Sequence, residues 1–126
     1  MKDALRIALK AVDDKKASDI VIIDISGLAT FANHFLFCTG DSSRQIHAIV
    51  DEVKERLEAA GQTPSHIEGY RHAEWVLMDY IDLVVHVFSK SARAYYDLER
   101  LWRDGKKLDI EKLLESPAVK KTGSKR

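Results

Sequence analysis

The sequence predicts a single α/β domain of the α+β kind, in which a mixed, mostly five-stranded sheet is flanked by helices. Three observations predict it. A chain of 126 residues with 45% apolar and 32% charged side chains has room for one core and no more. Four short apolar runs, DIVIIDI, HFLFCT, EWVLMDY and DLVVHVF, are rich in β-branched or aromatic residues and have the length of strands. A long amphipathic helix separates the second run from the third, so strands on either side of it can lie parallel in one sheet. The domain is expected over residues 1–116, with its core over 17–102, and residues 117–126 read as a disordered basic tail.

Residues 3–15 place Leu5, Ala8, Leu9 and Val12 at helical spacing, with Asp3 at the start and Lys15 and Lys16 at the end, where the helix dipole favours cations. Asp19–Ile25 reads as a largely buried strand closed by Ser26-Gly27. His34–Thr39 gives a second strand with its aromatics on one face, ended by Gly40-Asp41. Ser42-Ser43-Arg44-Gln45 then fits a capping box, in which Ser42 and Gln45 satisfy each other's free backbone N–H groups.

The helix that follows carries Ile46, Ile49, Val50, Val53, Leu57 and Ala60 as one stripe, and Gly61 is placed to end it in the left-handed conformation. Pro64 precedes a short extended piece ending at Gly69. EWVLMDY (74–80) and DLVVHVF (82–88) have only Ile81 between them, which demands a tight antiparallel pair or a bulged turn. A last long helix over 91–103 should bury Tyr95, Leu98, Leu101 and Trp102, with Tyr96 packed nearby, and Asp109–Leu114 adds a further turn or two.

Twenty basic residues balance twenty acidic ones, so no overall field draws the chain to DNA or to an anionic membrane. Four of the basic residues, Lys120, Lys121, Lys125 and Arg126, lie beyond Pro117, which leaves the domain mildly acidic. The start of the chain lacks the pattern of a signal peptide, and no apolar stretch approaches the ~20 residues that span a bilayer. A lone cysteine, Cys38, inside an apolar run fits a buried thiol in a reducing compartment, and the expected location is cytoplasmic.

Catalytic chemistry finds few candidates. His34 lies on the same strand face as Cys38, but four residues along a strand is about 13 Å, too far to activate a thiol. His34, His47, His66, His72 and His86 show no metal-ligand spacing, so no metal or cofactor is expected. Gly40-Asp41-Ser42-Ser43 leads from a strand into a helix N-terminus, where anions can bind, but a capped helix start explains it fully. Asp24, Asp79 and Asp82 have no His or Lys at fixed spacing and read as turn and surface carboxylates.

Binding is the stronger reading. In EWVLMDY, Trp75, Leu77 and Asp79 point one way and Val76, Met78 and Tyr80 the other, so both faces are substantially apolar. Either the strand is central and covered on both sides, or one face is partly open and rimmed by Glu68, Glu74, Asp79 and Asp82. An acidic rim around an aromatic anchor suits a patch that docks a basic protein.

Three blocks in order, residues 17–53 (ASDIVIIDISGLATFANHFLFCTGDSSRQIHAIVDEV), 67–88 (IEGYRHAEWVLMDYIDLVVHVF) and 95–102 (YYDLERLW), resemble the ribosomal silencing factor family (RsfS, also called Iojap). The resemblance implies a nucleotidyltransferase-like fold without catalytic residues. In agreement, the acidic pair Asp51-Glu52 falls inside a helix, where its carboxylates diverge by about 100° and cannot share a metal. It also implies a function: binding a basic large-subunit ribosomal protein at the subunit-joining surface, and so blocking subunit association and repressing translation when nutrients are scarce.

The binding set that follows is Trp75, Glu68, Tyr70, Leu77, Asp79, Tyr80 and Asp82, with Ser43-Arg44 as the family's Ser-Arg pair. Two departures stand out: Ile81 where the family usually has Gly, and Asn33-His34-Phe35 where it commonly has Asp-Tyr-Phe. A β-branched residue resists positive φ, so a turn of different shape is expected at Ile81. A nucleotide-binding or nucleotidyl-transferring enzyme using Gly40 to Ser43 and Asp24 is the alternative. A homodimer, and contact of the basic tail with ribosomal RNA, stay open.

Overall fold

The computed structural model describes residues 2–27, 32–96 and 105–115. The elements in chain order are α1 (Lys2–Asp14), β1 (Ser18–Asp24), β2 (His34–Gly40), α2 (Ser43–Ala59), β3 (His66–Glu68), β4 (Trp75–Asp79), β5 (Leu83–Ser89), α3 (Lys90–Tyr96), β6 (Lys106–Lys107) and α4 (Ile110–Glu115). The strands form one sheet in the order β3-β4-β5-β2-β1-β6. Only β2 and β5 run parallel, and the long connection through α2 is what permits it. The sheet thus has six strands among the described residues rather than five. The sixth is two residues of β6 added to the edge of β1, too short to leave a strand signal in the sequence.

Because side chains alternate along a strand, the sheet sorts its apolar residues into two layers. Ile22, Leu36, Cys38, Val76, Met78, Val85 and Val87 face α1 and α2, meeting Leu5, Leu9 and Val12 of the first helix and Ile46, Ile49, Val50, Val53 and Leu57 of the second. Each such buried aliphatic side chain contributes about 1.5–3 kcal/mol of transfer free energy, and this layer holds most of them. Ala60, predicted on the same stripe, is exposed, because it is already the residue that caps the helix. The opposite layer is aromatic: Phe35, Phe37 and Phe88 with Ile23, Ile25, Val84 and Ala92.

The predicted stop at Gly61 takes the form of a Schellman motif. Gly61 has φ +86, its N–H donates to Glu58 O, and the N–H of Gln62 donates to Leu57 O at 2.8 Å. The capping box at the other end differs from the expected one. Gln45 N–H donates to Ser42 Oγ as predicted, but the Gln45 side chain accepts from the Asp41 N–H and donates through Nε2 to Lys15 O and Lys16 O. One glutamine therefore caps the start of α2 and ties it to the end of α1.

The predicted burial of Tyr95 fails: it is 81% exposed on α3. Arg93 occupies the position over the aromatic layer instead, its guanidinium 6.0 Å from the ring centres of Phe37 and Phe88, with hydrogen bonds to Thr39 Oγ1 and Asp19 O. An arginine can cover rings with its planar head and still satisfy its donors at the sheet margin. The predicted continuation of this helix, with Leu98, Leu101 and Trp102, the side chain of Tyr96, and the tail from 117 onward lie outside the described residues. Among the described residues, no helix is long and apolar enough to cross a membrane.

Candidate protein-docking face

The candidate face is built by β3, β4 and β5. In an antiparallel ladder, residues directly opposite share a face. The register pairs Glu68 with Leu77, His66 with Asp79, Trp75 with Phe88, Leu77 with His86 and Asp79 with Val84. His66, Glu68, Trp75, Leu77 and Asp79 therefore project from one face of the sheet, alongside Phe88, His86 and Val84 of β5. Strand β4 alternates accordingly: Val76 and Met78 are buried toward the helices, whereas Trp75, Leu77 and Asp79 are half-buried on the other side.

Trp75 is set rigidly. Its ring stacks on Phe88 with centroids 5.4 Å apart, and its indole N–H donates to His86 Nδ1 at 3.1 Å. A collision fixes the approach to it as well: a Cβ on Gly69 would run into the Trp75 carbonyl oxygen, and Gly69 has φ +82, so only glycine lets the β3–β4 connection pass this close. At the acidic margin, His66 lies 3.2 Å from Glu68 and 3.8 Å from Asp79. Glu74, expected on the rim, accepts from the Ser89 hydroxyl at 2.8 Å.

The seven residues predicted for binding divide. Trp75, Leu77, Glu68 and Asp79 share the face. Asp82 lies at the end of the β4–β5 hairpin, where its backbone oxygen accepts from the N–H groups of Asn33 and His34 and its carboxylate is 3.5 Å from the Asn33 amide. Tyr80 turns inward to the helix layer at 6% exposure, and burial pushes its hydroxyl up to about 12. Tyr70 stands over α2: its ring stacks on His47 at 4.3 Å, its hydroxyl donates to Asp51, and its carbonyl accepts from His47 Nε2. The hydrogen bond to Asp51 favours the protonated phenol and raises its pKa.

Two neighbours of this face are absent from the binding set read from the sequence. His66 sits among the carboxylates, a position only strand register reveals. Ile81, noted there for its backbone, is 60% exposed at the hairpin tip.

The groups considered for chemistry lie apart. Cys38 is fully buried among aliphatic side chains, and burial pushes its thiol up to about 12. Asp24 accepts from the N–H and hydroxyl of Ser26, which hold its carboxyl below the usual range. At Gly40 a Cβ would strike the Ile46 side chain, so close packing of strand on helix accounts for the glycine without a phosphate. No group of three or more His, Cys, Asp or Glu side chains among the described residues could hold a metal ion.

Comparison with known proteins gives these features a context. A family model described as "Ribosomal silencing factor during starvation" matches residues 1–126. The ribosomal silencing factor RsfS of Halalkalibacterium halodurans is 44% identical over 110 residues, covering 87% of this chain and 94% of its own. The Bacillus subtilis protein of the same name is also 44% identical, over 87% of this chain and 93% of its own. A crystal structure from Chromobacterium violaceum superposes with a TM-score of 0.80 at 38% identity, covering 86% of this chain and 90% of that one. With the match extending over the whole length and the architecture shared, the chain belongs to the ribosomal silencing factor (RsfS) family.

Proposed function

We propose that this chain docks through the β3–β5 face onto a basic protein of the large ribosomal subunit, at the surface where the small subunit joins, and represses translation by occupying that surface. The single observation that carries the reading is the half-buried pair Trp75 and Leu77 on one sheet face, Trp75 held by its stack on Phe88, with Glu68 and Asp79 at the margin. An aromatic anchor held in place before binding loses little conformational entropy on docking, and the carboxylates select a cationic partner. A chain of this size cannot pry two large bodies apart. A standard interface of about 800 Å² on its side is enough to exclude a competitor by mass action.

The reading needs no turnover, cofactor or bound nucleotide, and places the chain in the cytoplasm with the ribosomes. The nucleotide alternative draws on Gly40, Ser42 and Asp24, each of which already has structural employment in packing, capping or a turn.

Sedimentation with separated ribosomal subunits tests the proposal. The chain should travel with the large subunit and lower the yield of joined ribosomes as its dose rises. Glu68→Lys, at an exposed site, should keep the fold and weaken binding about tenfold or more. Joining that proceeds unhindered at saturating dose would refute the proposal. Light scattering on the same samples reports any homodimer and whether it competes with the ribosome.

A further inference from the structure

The β4–β5 turn combines two features that ordinary turn residues avoid. Ile81 has φ +75, a left-handed conformation that is costly for a β-branched side chain, and its side chain is 60% exposed. A β-branched residue at this position predicts a differently shaped turn that escapes the strain. The structure instead imposes it with three hydrogen bonds: Ile81 N–H to Asp79 Oδ1 at 2.8 Å, Asp82 N–H to Tyr80 O at 2.9 Å, and Tyr80 N–H to Leu83 O at 2.8 Å. The second of these closes a three-residue γ-turn with Ile81 at its centre.

Glycine, asparagine or aspartate would take this backbone at less cost, and a polar group would suit the exposure. Packing within the described residues does not repay the isoleucine, since most of its surface faces outward. Strain kept at an exposed position calls for a use outside the chain.

We infer that Ile81 is an apolar docking tip, which inserts into an apolar pocket on the same basic ribosomal protein that receives Trp75. The inference rests on the docking reading above and extends it to the hairpin end. Asp79 and Asp82 flank the tip, so the pocket would be bordered by lysine or arginine side chains. Asp79 belongs to both surfaces, since it stands on the Trp75 face and its carboxylate holds the Ile81 N–H. Trp75 and Ile81 are six residues apart, at most about 20 Å along the strand, so one standard interface of about 30 Å across can cover anchor and tip together.

The test pairs stability with affinity for purified large subunits. Ile81→Gly should raise Tm by about 3 °C, because the strain goes, and should weaken binding about tenfold, because the apolar contact goes. Ile81→Val should bind within about threefold of the wild type. A merely structural residue cannot give a variant that is more stable and binds less well.

Ile81→Gly binding as tightly as the wild type would overturn the tip assignment. If Glu68→Lys were weakened in the same titration, the docking reading would survive that result. A Tm that failed to rise would remove the strain premise and the assignment with it. A wild-type chain with no affinity for large subunits would bring down both.

Discussion

The indole N–H of Trp75 and the Nδ1 of His86 are joined across the β4–β5 ladder at 3.1 Å, beneath the surface of the candidate face. An indole can only donate, so Nδ1 must accept and the proton of the neutral imidazole resides on Nε2. The ring is wedged between Phe37, stacked at 4.9 Å, and Phe35, edge-on at 4.9 Å. Its Nε2 is buried without a hydrogen-bond partner among the described residues.

Trp75→Phe tests what that bond contributes. Phenylalanine can keep the stack on Phe88 but leaves Nδ1 of His86 unpaired, at a cost of about 1–2 kcal/mol. Urea unfolding should show a lower midpoint with an unchanged slope. An unchanged midpoint would mean that the bond is worth nothing net.

The same buried ring makes the fold sensitive to acid. Burial lowers the His86 pKa from 6.5 to about 3. Because the folded value lies below the unfolded one, His86 imposes no penalty well above pH 6.5. As pH falls through the window from 6.5 to 3, the unfolded chain takes up a proton that the folded chain refuses. The loss should reach about 3 kcal/mol between pH 7 and pH 4. Asp14 and Asp24, whose pKa values are lowered chiefly by hydrogen bonds to Arg56 and Ser26 respectively, lose their contributions as pH falls further, in the same direction. Urea melts at successive pH values should show the decline, and His86→Gln should flatten it between pH 6.5 and 4. Equal slopes in both proteins would clear His86 of the effect.

Cys38 should be inert in the native state. With the thiol fully buried and pushed up to about 12, it presents neither a thiolate nor a path for a reagent. A thiol-reactive dye should label it only as fast as the chain opens, and stoichiometrically in denaturant. Rapid labelling of folded protein would contradict its place in the core.

Gly69→Ala should cost about 2 kcal/mol or more, since the added carbon meets the Trp75 carbonyl oxygen at a backbone of φ +82. Calorimetry reads the stability, and weaker binding to large subunits should accompany it if Trp75 is displaced. A neutral result would show that the β3–β4 connection can shift away at no cost.

How much was legible in the sequence follows the range of the forces involved. Helix α2 could be read from end to end because its stripe, its Ser42 cap and its Gly61 stop act within a few residues of one another. The opposed faces of β4 followed from alternation alone. Gln45 reaching Lys15 and Lys16, by contrast, joins residues some thirty positions apart, and no local rule announces it. Tyr95 is exposed although its spacing predicts burial, because a helical stripe says which side of a helix is apolar but not which residue of α3 reaches the sheet. Here Arg93 took the place over the rings.

By itself, then, the sequence determined the class of the domain, the strands and long helix, the burial of Cys38 and the kinship with silencing factors, because period and local capping are written in neighbouring residues. Alternation along β4 already set Asp79 with Trp75 and Leu77 and turned Tyr80 the other way; only the tertiary structure decided what joins that face. Strand register brought Glu68 and His66 of β3 beside Leu77 and Asp79, while Tyr70 went to α2. Register and strain at Ile81 are set by pairing between distant segments, whose energies no stretch of chain carries alone.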